Sequence, residues 1–379
     1  MIKIFPILYS RNTNGSVQQW QIEVDGSRYR TSSGKKDGAI VVTAWTDCEA
    51  KNVGKKNEVS PDAQALKEAE AKFKDQIKTG YREDINEIDN LTFHEPMRAK
   101  PFAERLHKVT YPGDAQYKLD GFRANPQPDT NVILSRYNNL IVGVPHLNDL
   151  LGKFHAKHPD IRLDGELYSH AHKDDFNTIC SMLRKQTPTA AEIQACKVME
   201  LWVFDLIDLT LPWEERFERL KEIWKEWHPV FGRSIRLVWT TRCNNRAEYD
   251  AFHLKATSLG FEGSMWRDLK AKYEYKRTDS LLKRKDFQDK EFEVVDFLPG
   301  RGNKAGMAAK VLCYRDSART VTFEANIVGD WTFCKHLLEH KAEYIGAPAT
   351  IKFTNYTPPR PDGTGSVPRQ GEMIKINKF

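Results

Sequence analysis

Both ends of this 379-residue chain are written in short runs that alternate apolar and polar residues, a pattern that confines them to small antiparallel sheets or barrels. Near the start, Trp20-Gln21-Ile22-Glu23-Val24 meets Asp25-Gly26 and continues as Ser27-Arg28-Tyr29-Arg30-Thr31, a hairpin signature. Near the end, Glu291 to Phe297, Arg319 to Phe323 and Ala349 to Phe353 alternate in the same way between glycine-rich turns, which predicts a small barrel. Its loop Gly300-Arg301-Gly302-Asn303-Lys304-Ala305-Gly306 lacks both a following helix and a Gly-Lys-Ser/Thr ending. It reads as a basic loop of the barrel rather than a phosphate cradle.

Helical spacing is found between these ends. Ser60-Pro61-Asp62 supplies a cap and a proline for a first turn, and the helix it opens runs through Ala65 to Ile77 and stops near Gly80. Phe217, Leu220, Trp224 and Trp227 mark the core stripe of a second helix. Tyr249, Phe252, Ala256 and Leu259 mark a third, stopped by Gly260, which delivers Glu262 just beyond its end. The chain therefore reads as α+β and multi-domain: residues 1–95 a strand-rich module, 96–290 a mixed core, 291–379 the barrel.

Composition narrows the partners. A formal charge of +6 favours a polyanion. In the first segment, basic and aromatic residues interleave (Arg28, Tyr29, Arg30, Lys35, Lys36, Trp45, Lys51, Lys55, Lys56), as a surface that grips phosphates requires. The six cysteines include no Cys-x-x-Cys pair, so neither a zinc site nor a disulfide framework is expected. The absence of an apolar run near ~18 residues, and of a signal-peptide pattern, predicts a soluble intracellular protein.

The chemistry is concentrated in Tyr117-Lys118-Leu119-Asp120-Gly121-Phe122-Arg123. A free lysine, with a pKa of ~10.4, is protonated and a poor nucleophile at neutral pH, so a reactive one needs nearby cations or desolvation. Lys283 and Lys285 alternate along what reads as a strand and so share a face. They are expected to stabilise a phosphorane-like transition state and to lower the Lys118 pKa. Glu166 and Glu262 offer oxygens suited to Mg²⁺, which binds through one or two carboxylates plus substrate phosphates.

The run Lys118-x-Asp120-Gly121-x-Arg123 resembles the signature of the covalent nucleotidyltransferases, which comprise ATP-dependent DNA ligases, RNA ligases and capping enzymes. Further elements resemble the family's in order: Ser135-Arg136, Leu163-Asp164-Gly165-Glu166-Leu167, Val203-Phe204-Asp205, Glu262-Gly263-Ser264 and Leu282-Lys283-Arg284-Lys285. The segment Pro96 to Lys100 is similar to the lead-in of ATP-dependent DNA ligases, and the compact plan most resembles the bacteriophage type.

The resemblance implies a nucleotidyltransferase core of antiparallel sheets and helices, ATP-grasp-like, with a C-terminal OB-fold. It implies sealing of 3′-OH/5′-phosphate nicks in duplex DNA through lysyl-AMP and DNA-adenylate, in replication, repair or recombination. Lys118 would be the nucleophile, with Lys283 and Lys285 on the α-phosphate. Asp120, Arg123 and Glu166 would serve the ribose and the lysine, and Phe204 would stack on adenine. Glu166 and Glu262 would hold Mg²⁺ or Mn²⁺, and Arg136 the nicked strand. The protein would act as a monomer. An RNA ligase, a capping-type transferase and a non-catalytic nucleic-acid-binding protein are the alternatives, and a NAD-dependent ligase is disfavoured because its four-cysteine zinc module has no counterpart. The stretch Ala44 to Gly54 is similar to WGR modules, although the literal Trp-Gly-Arg is absent. The tail departs from the family's Arg-x-Asp-Lys element and offers Arg369, Lys375 and Lys378 as leaving-group contacts.

Overall fold

In the computed structural model, residues 2–12, 14–89, 96–359 and 365–377 are described. The first segment contains β1 (Ile2–Ile4), β2 (Leu8–Arg11), β3 (Val17–Asp25), β4 (Arg28–Lys35), β5 (Ile40–Val42), β6 (Thr46–Asp47) and the helix α1 (Pro61–Lys78). The predicted hairpin is β3–β4, with Asp25 opposite Arg28. Alternation along β3 puts Trp20, Ile22 and Val24 on the side that packs against Ala65 and Ala69 of α1, and Glu23 and Asp25 on the other. Ser60 caps α1 by accepting from the Ala63 N–H.

The middle of the chain builds two five-stranded sheets. Its elements are β7 (Arg98–Pro101), β8 (Gly113–Lys118), β9 (Phe122–Gln127), β10 (Val132–Leu134), α2 (Pro145–Lys157), β11 (Leu163–Tyr168), α3 (Phe176–Leu183), α4 (Ala190–Cys196), β12 (Glu200–Leu206), α5 (Trp213–Phe231), β13 (Ile235–Leu237), β14 (Thr240–Cys243), α6 (Arg246–Ser258), β15 (Gly263–Arg267) and β16 (Arg277–Lys285). One sheet runs β10-β9-β11-β12-β13 and the other β14-β8-β15-β16-β7. Leu151 and Phe154 of α2, with Leu220, Trp227 and Phe231 of α5, cover the first sheet over Leu163, Leu201 and Ile235. Tyr249, Phe252 and Ala256 of α6 cover the second over Ala115, Trp266 and Leu282. The helical stripes read from the sequence are these core faces, except for Leu259, which caps the end of α6 and is exposed.

The last segment is a closed barrel, ordered β17-β18-β19-β21-β20, of β17 (Gln288–Pro299), β18 (Ala308–Tyr314), β19 (Thr322–Ile327), β20 (Pro348–Phe353) and β21 (Glu372–Ile376), with α7 (Trp331–Glu339) between β19 and β20. This is the predicted OB-type plan, and the basic loop at Arg301 joins β17 to β18. By backbone contacts the chain forms two compact units, Met1–Phe93 with Phe287–Phe379, and His94–Asp286. All six cysteines are free and buried. Among the described residues, no helix is long and apolar enough to cross a membrane. Lys378 lies outside the described residues.

Candidate active site

The reactive groups sit where strands of the second sheet end. β8 and β15 pair antiparallel with Lys118 opposite Gly263, and β15 pairs with β16 with Gly263 opposite Lys285. Three neighbouring strands therefore bring Lys118, Glu262 and Lys285 side by side. Gly263 is needed at this crossing because a Cβ there would lie 2.1 Å from the Arg284 carbonyl oxygen. Glu262 forms ion pairs with both Lys118 and Lys285, and the Glu262 N–H donates to the Lys118 carbonyl at 3.1 Å.

From the other sheet, β11 contributes Glu166, whose Oε1 accepts from the Gly121 N–H at 3.0 Å. A Cβ on Gly121 would come within 2.5 Å of the Glu166 side chain and 2.6 Å of the Leu167 carbonyl. The glycine of the Lys-x-Asp-Gly run therefore lets the loop after Lys118 close down on Glu166.

The electrostatics correct one expectation. Burial alone would push Lys118 down, but Glu262, Glu166 and Asp120 outweigh it and hold the amine above its ordinary pKa. The cations Lys283 and Lys285 were expected to lower it; the converging carboxylates prevail because Glu262 touches Lys118 directly. The depressed amine is Lys283, pushed down by burial and then by Lys285 and Lys118. Burial would raise Glu262, yet Lys118 and Lys285 keep it below the usual carboxylate range. Burial dominates at Glu166, whose carboxyl is pushed up to about 7 against the pull of Lys118 and Arg123.

That shift carries a stability consequence. The Glu166 pKa rises from 4.5 unfolded to about 7 folded, so its contribution is fully present below pH 4.5 and is lost as pH rises through 7. Glu166→Gln, which can still accept from Gly121, is expected to stabilise the protein above pH 7 by about 3 kcal/mol, with no gain near pH 4. Thermal melts across that range check it, and a gain independent of pH would refute it.

The purine-stacking candidate Phe204 lies on β12, half-buried, with the Arg123 guanidinium over its ring at 4.8 Å and that of Arg267 at 5.8 Å. Arg123 is itself held by Asp164, its Nε donating to Oδ1 at 2.7 Å, and donates to the Met97 carbonyl at 3.2 Å. Beneath Phe204 is a buried polar layer. Asp205 accepts from Arg216 Nε at 2.8 Å and Arg267 Nη1 at 2.6 Å, Arg267 Nε reaches Gln116 at 2.6 Å, and Tyr273 donates to Asp164 at 2.7 Å. Sequence reasoning gave Asp164, Asp205, Arg216, Arg267 and Tyr273 no role. The available signal was a carboxylate at a core-facing position of an apolar strand, at Asp164 in β11 and Asp205 in β12.

The remaining candidates stand on other elements. Arg136 is exposed on the turn after β10, bonded to and stacked at 4.5 Å on Tyr137. Arg28 and Arg30 pair with Asp25 and Glu23 and sandwich Trp45 at 4.8 and 4.4 Å. Lys35 and Lys36 lie at the far end of the same hairpin, about 24 Å from Arg28 at ~3.4 Å per residue. Lys55 and Lys56 are exposed in the loop before α1.

Among the described residues, no group of three or more His, Cys, Asp or Glu forms a ready metal cage. Two neighbouring carboxylates, one with a pKa that a cation would pull down, suit an ion that takes most of its ligands from water and phosphate.

The family profile described as "ATP dependent DNA ligase domain" matches residues 96–285. The DNA ligase of an African swine fever virus isolate is 27% identical over 288 residues, covering 71% of this chain and 64% of the viral protein. That of Enterobacteria phage T6 is 26% identical over 247 residues, covering 52% and 50%. The chain thus spans less than two thirds of the length of these relatives. Among solved structures, Pmar-Lig_PreS3 has a TM-score of 0.66 at 19% identity, covering 77% of this chain and 71% of that one. A Lig E DNA ligase structure has a TM-score of 0.58 at 22% identity, covering 75% and 100%. Both likenesses are of fold.

Proposed function

Because this chain belongs to the family of ATP-dependent DNA ligase domains, we propose that it uses ATP to join the 3′-hydroxyl and 5′-phosphate of a nick in duplex DNA. The observation that carries this reading is the convergence of Lys118, Glu262, Lys285 and Glu166 at adjoining strand ends. A primary amine, already donating to a carboxylate and flanked by a second cation, can attack a phosphorus and lose its proton locally.

In the first step the Lys118 nitrogen bonds to the α-phosphorus of ATP, the bond to the β-phosphate oxygen breaks, and pyrophosphate leaves. Before the attack the ammonium gives one proton to Glu262, its existing hydrogen-bond partner, and as the P–N bond forms the nitrogen gives a second to the leaving pyrophosphate. Lys283 and Lys285, on one face of β16, hold the α-phosphate oxygens. Next, an oxygen of the 5′-phosphate attacks the same phosphorus and the P–N bond breaks, the nitrogen taking back the proton held by Glu262, which returns Lys118 as an amine. The 3′-hydroxyl then attacks the 5′-phosphate, and AMP leaves. Asp120 and Arg123 serve the ribose and the lysine loop, and Phe204 offers adenine its face. Mg²⁺ or Mn²⁺ at Glu166 and Glu262 would neutralise phosphate charge.

The working parts are residues 1–95 for DNA, 96–290 for nucleotidyl transfer and 291–379 as the barrel, acting as a monomer. The deciding experiment incubates the protein with α-labelled ATP and magnesium, then adds nicked duplex. Acid-labile label on the protein that chases into sealed DNA supports the reading; no label with any nucleotide refutes it. Label that never leaves for DNA points instead to an RNA ligase or a capping-type transferase.

DNA contact by the first segment has its own test. Arg28 and Arg30 are already paired with carboxylates, whereas Lys55 and Lys56 are exposed. Lys55→Ala with Lys56→Ala is expected to flatten the salt dependence of binding by a slope of about 2, near 0.9 per lost phosphate contact. Arg28→Ala with Arg30→Ala should flatten it less. Fluorescence anisotropy on nicked duplex at several salt concentrations measures both.

A further inference from the structure

The end of β16 is bound on both faces. Lys283 and Lys285 point to one side, and the alternate residues Arg284 and Asp286 point to α6 on the other. Asp250 of α6 forms an ion pair with Arg284. One turn further on, His253 places Nε2 2.9 Å from Asp286 Oδ1. The Nδ1 of His253 lies 2.9 Å from the Ser264 hydroxyl on β15, and that hydroxyl lies 3.0 Å from the Tyr249 hydroxyl, also on α6. His253 is 1% exposed and Ser264 fully buried, whereas Asp286 is 67% exposed.

The arrangement has the members of a Ser-His-Asp triad, yet the serine is sealed from any substrate and so cannot act as a nucleophile. It does join the strand that follows Glu262 to the strand that ends in Lys285. Ser264 stands opposite Arg284, one residue from the Gly263–Lys285 pair. We propose that His253 is a positioning residue: its ring ties Asp286 to Ser264 and thereby fixes the strand end that presents Lys283 and Lys285 to the α-phosphate. The proposal rests on the ligase reading above.

Ser264 donates to the Tyr249 hydroxyl, which leaves its oxygen to accept from Nδ1 of His253, while Nε2 donates to Asp286. In this pattern Asp286 acts as a hydrogen-bond acceptor, a role that an asparagine carbonyl can fill.

Asp286→Ala, Asp286→Asn and the unaltered full chain are compared in nick sealing, with the ring nitrogens of His253 followed by ¹⁵N NMR. Asp286 is largely exposed, so both variants should fold, which a melt confirms. The expected result is a fall in kcat of about tenfold or more in Asp286→Ala, from displaced lysines, with KM for ATP little changed. Asp286→Asn should recover to within about twofold of the unaltered chain. His253 should carry a proton on Nε2, facing Asp286. Equal loss in both variants, no loss in either, or a His253 with no proton on Nε2 would overturn the proposal. An unaltered chain that takes no label from ATP would instead remove the ligase reading itself, so the two failures are distinguishable.

Discussion

Lys118→Ala should take no covalent label from α-labelled ATP, a loss of at least about 10⁴-fold, because in the proposed mechanism Lys118 supplies the nitrogen that bonds to phosphorus. Lys118→Arg should be equally inert, since a guanidinium stays protonated at any working pH. Both variants should still seal a nick that already carries a 5′-adenylate, because the lysine bonds to phosphorus only before that stage. Denaturing electrophoresis with labelled nucleotide and with pre-adenylated DNA tests the two halves. Stoichiometric AMP on Lys118→Ala would remove the assignment. The Glu262 and Lys285 side chains that flank Lys118 are expected to persist in the variant, since they pair with each other.

Asp205→Ala should be the most destabilising substitution near the site. Asp205 is fully buried and neutralises Arg216 and Arg267, which are themselves almost entirely buried. Removing it leaves two cations in the interior without their carboxylate, a loss of about 3–5 kcal/mol. Asp205→Asn, which keeps an acceptor but no charge, should fall between. Denaturant unfolding of the two variants against the unaltered chain measures this, and a loss below ~1 kcal/mol would show that the arginines find other partners. The loss should also raise KM for ATP, because Arg267 flanks Phe204 and donates to its carbonyl at 3.4 Å.

What could be read from the sequence followed from local pattern. The hairpin at Asp25-Gly26, the cap at Ser60 and the stop at Gly260 depend on residues a few positions apart, and each occurs where expected. Lys283 and Lys285 share a face because strand geometry alone requires it. Pairings across the sheets were not legible. Asp205 is 62 positions from Arg267, and nothing in either neighbourhood names the other. The same blindness explains the Lys118 error: the lysines of β16 were visible as a motif, but contact between Glu262 and Lys118 depends on the β8–β15 register. In the first segment, basic residues close together in sequence are divided between the two ends of a hairpin and a loop.

The six thiols make the native surface chemically silent. Each is enclosed, and burial raises those of Cys243 and Cys313 to about 11 and about 12, far from the thiolate that alkylating reagents need. Maleimide should therefore pass over the folded chain and react only once it unfolds. A single cysteine introduced on an exposed loop would then be the one thiol-reactive handle, so a dye could be placed at a chosen position without first stripping the protein of its own sulfur.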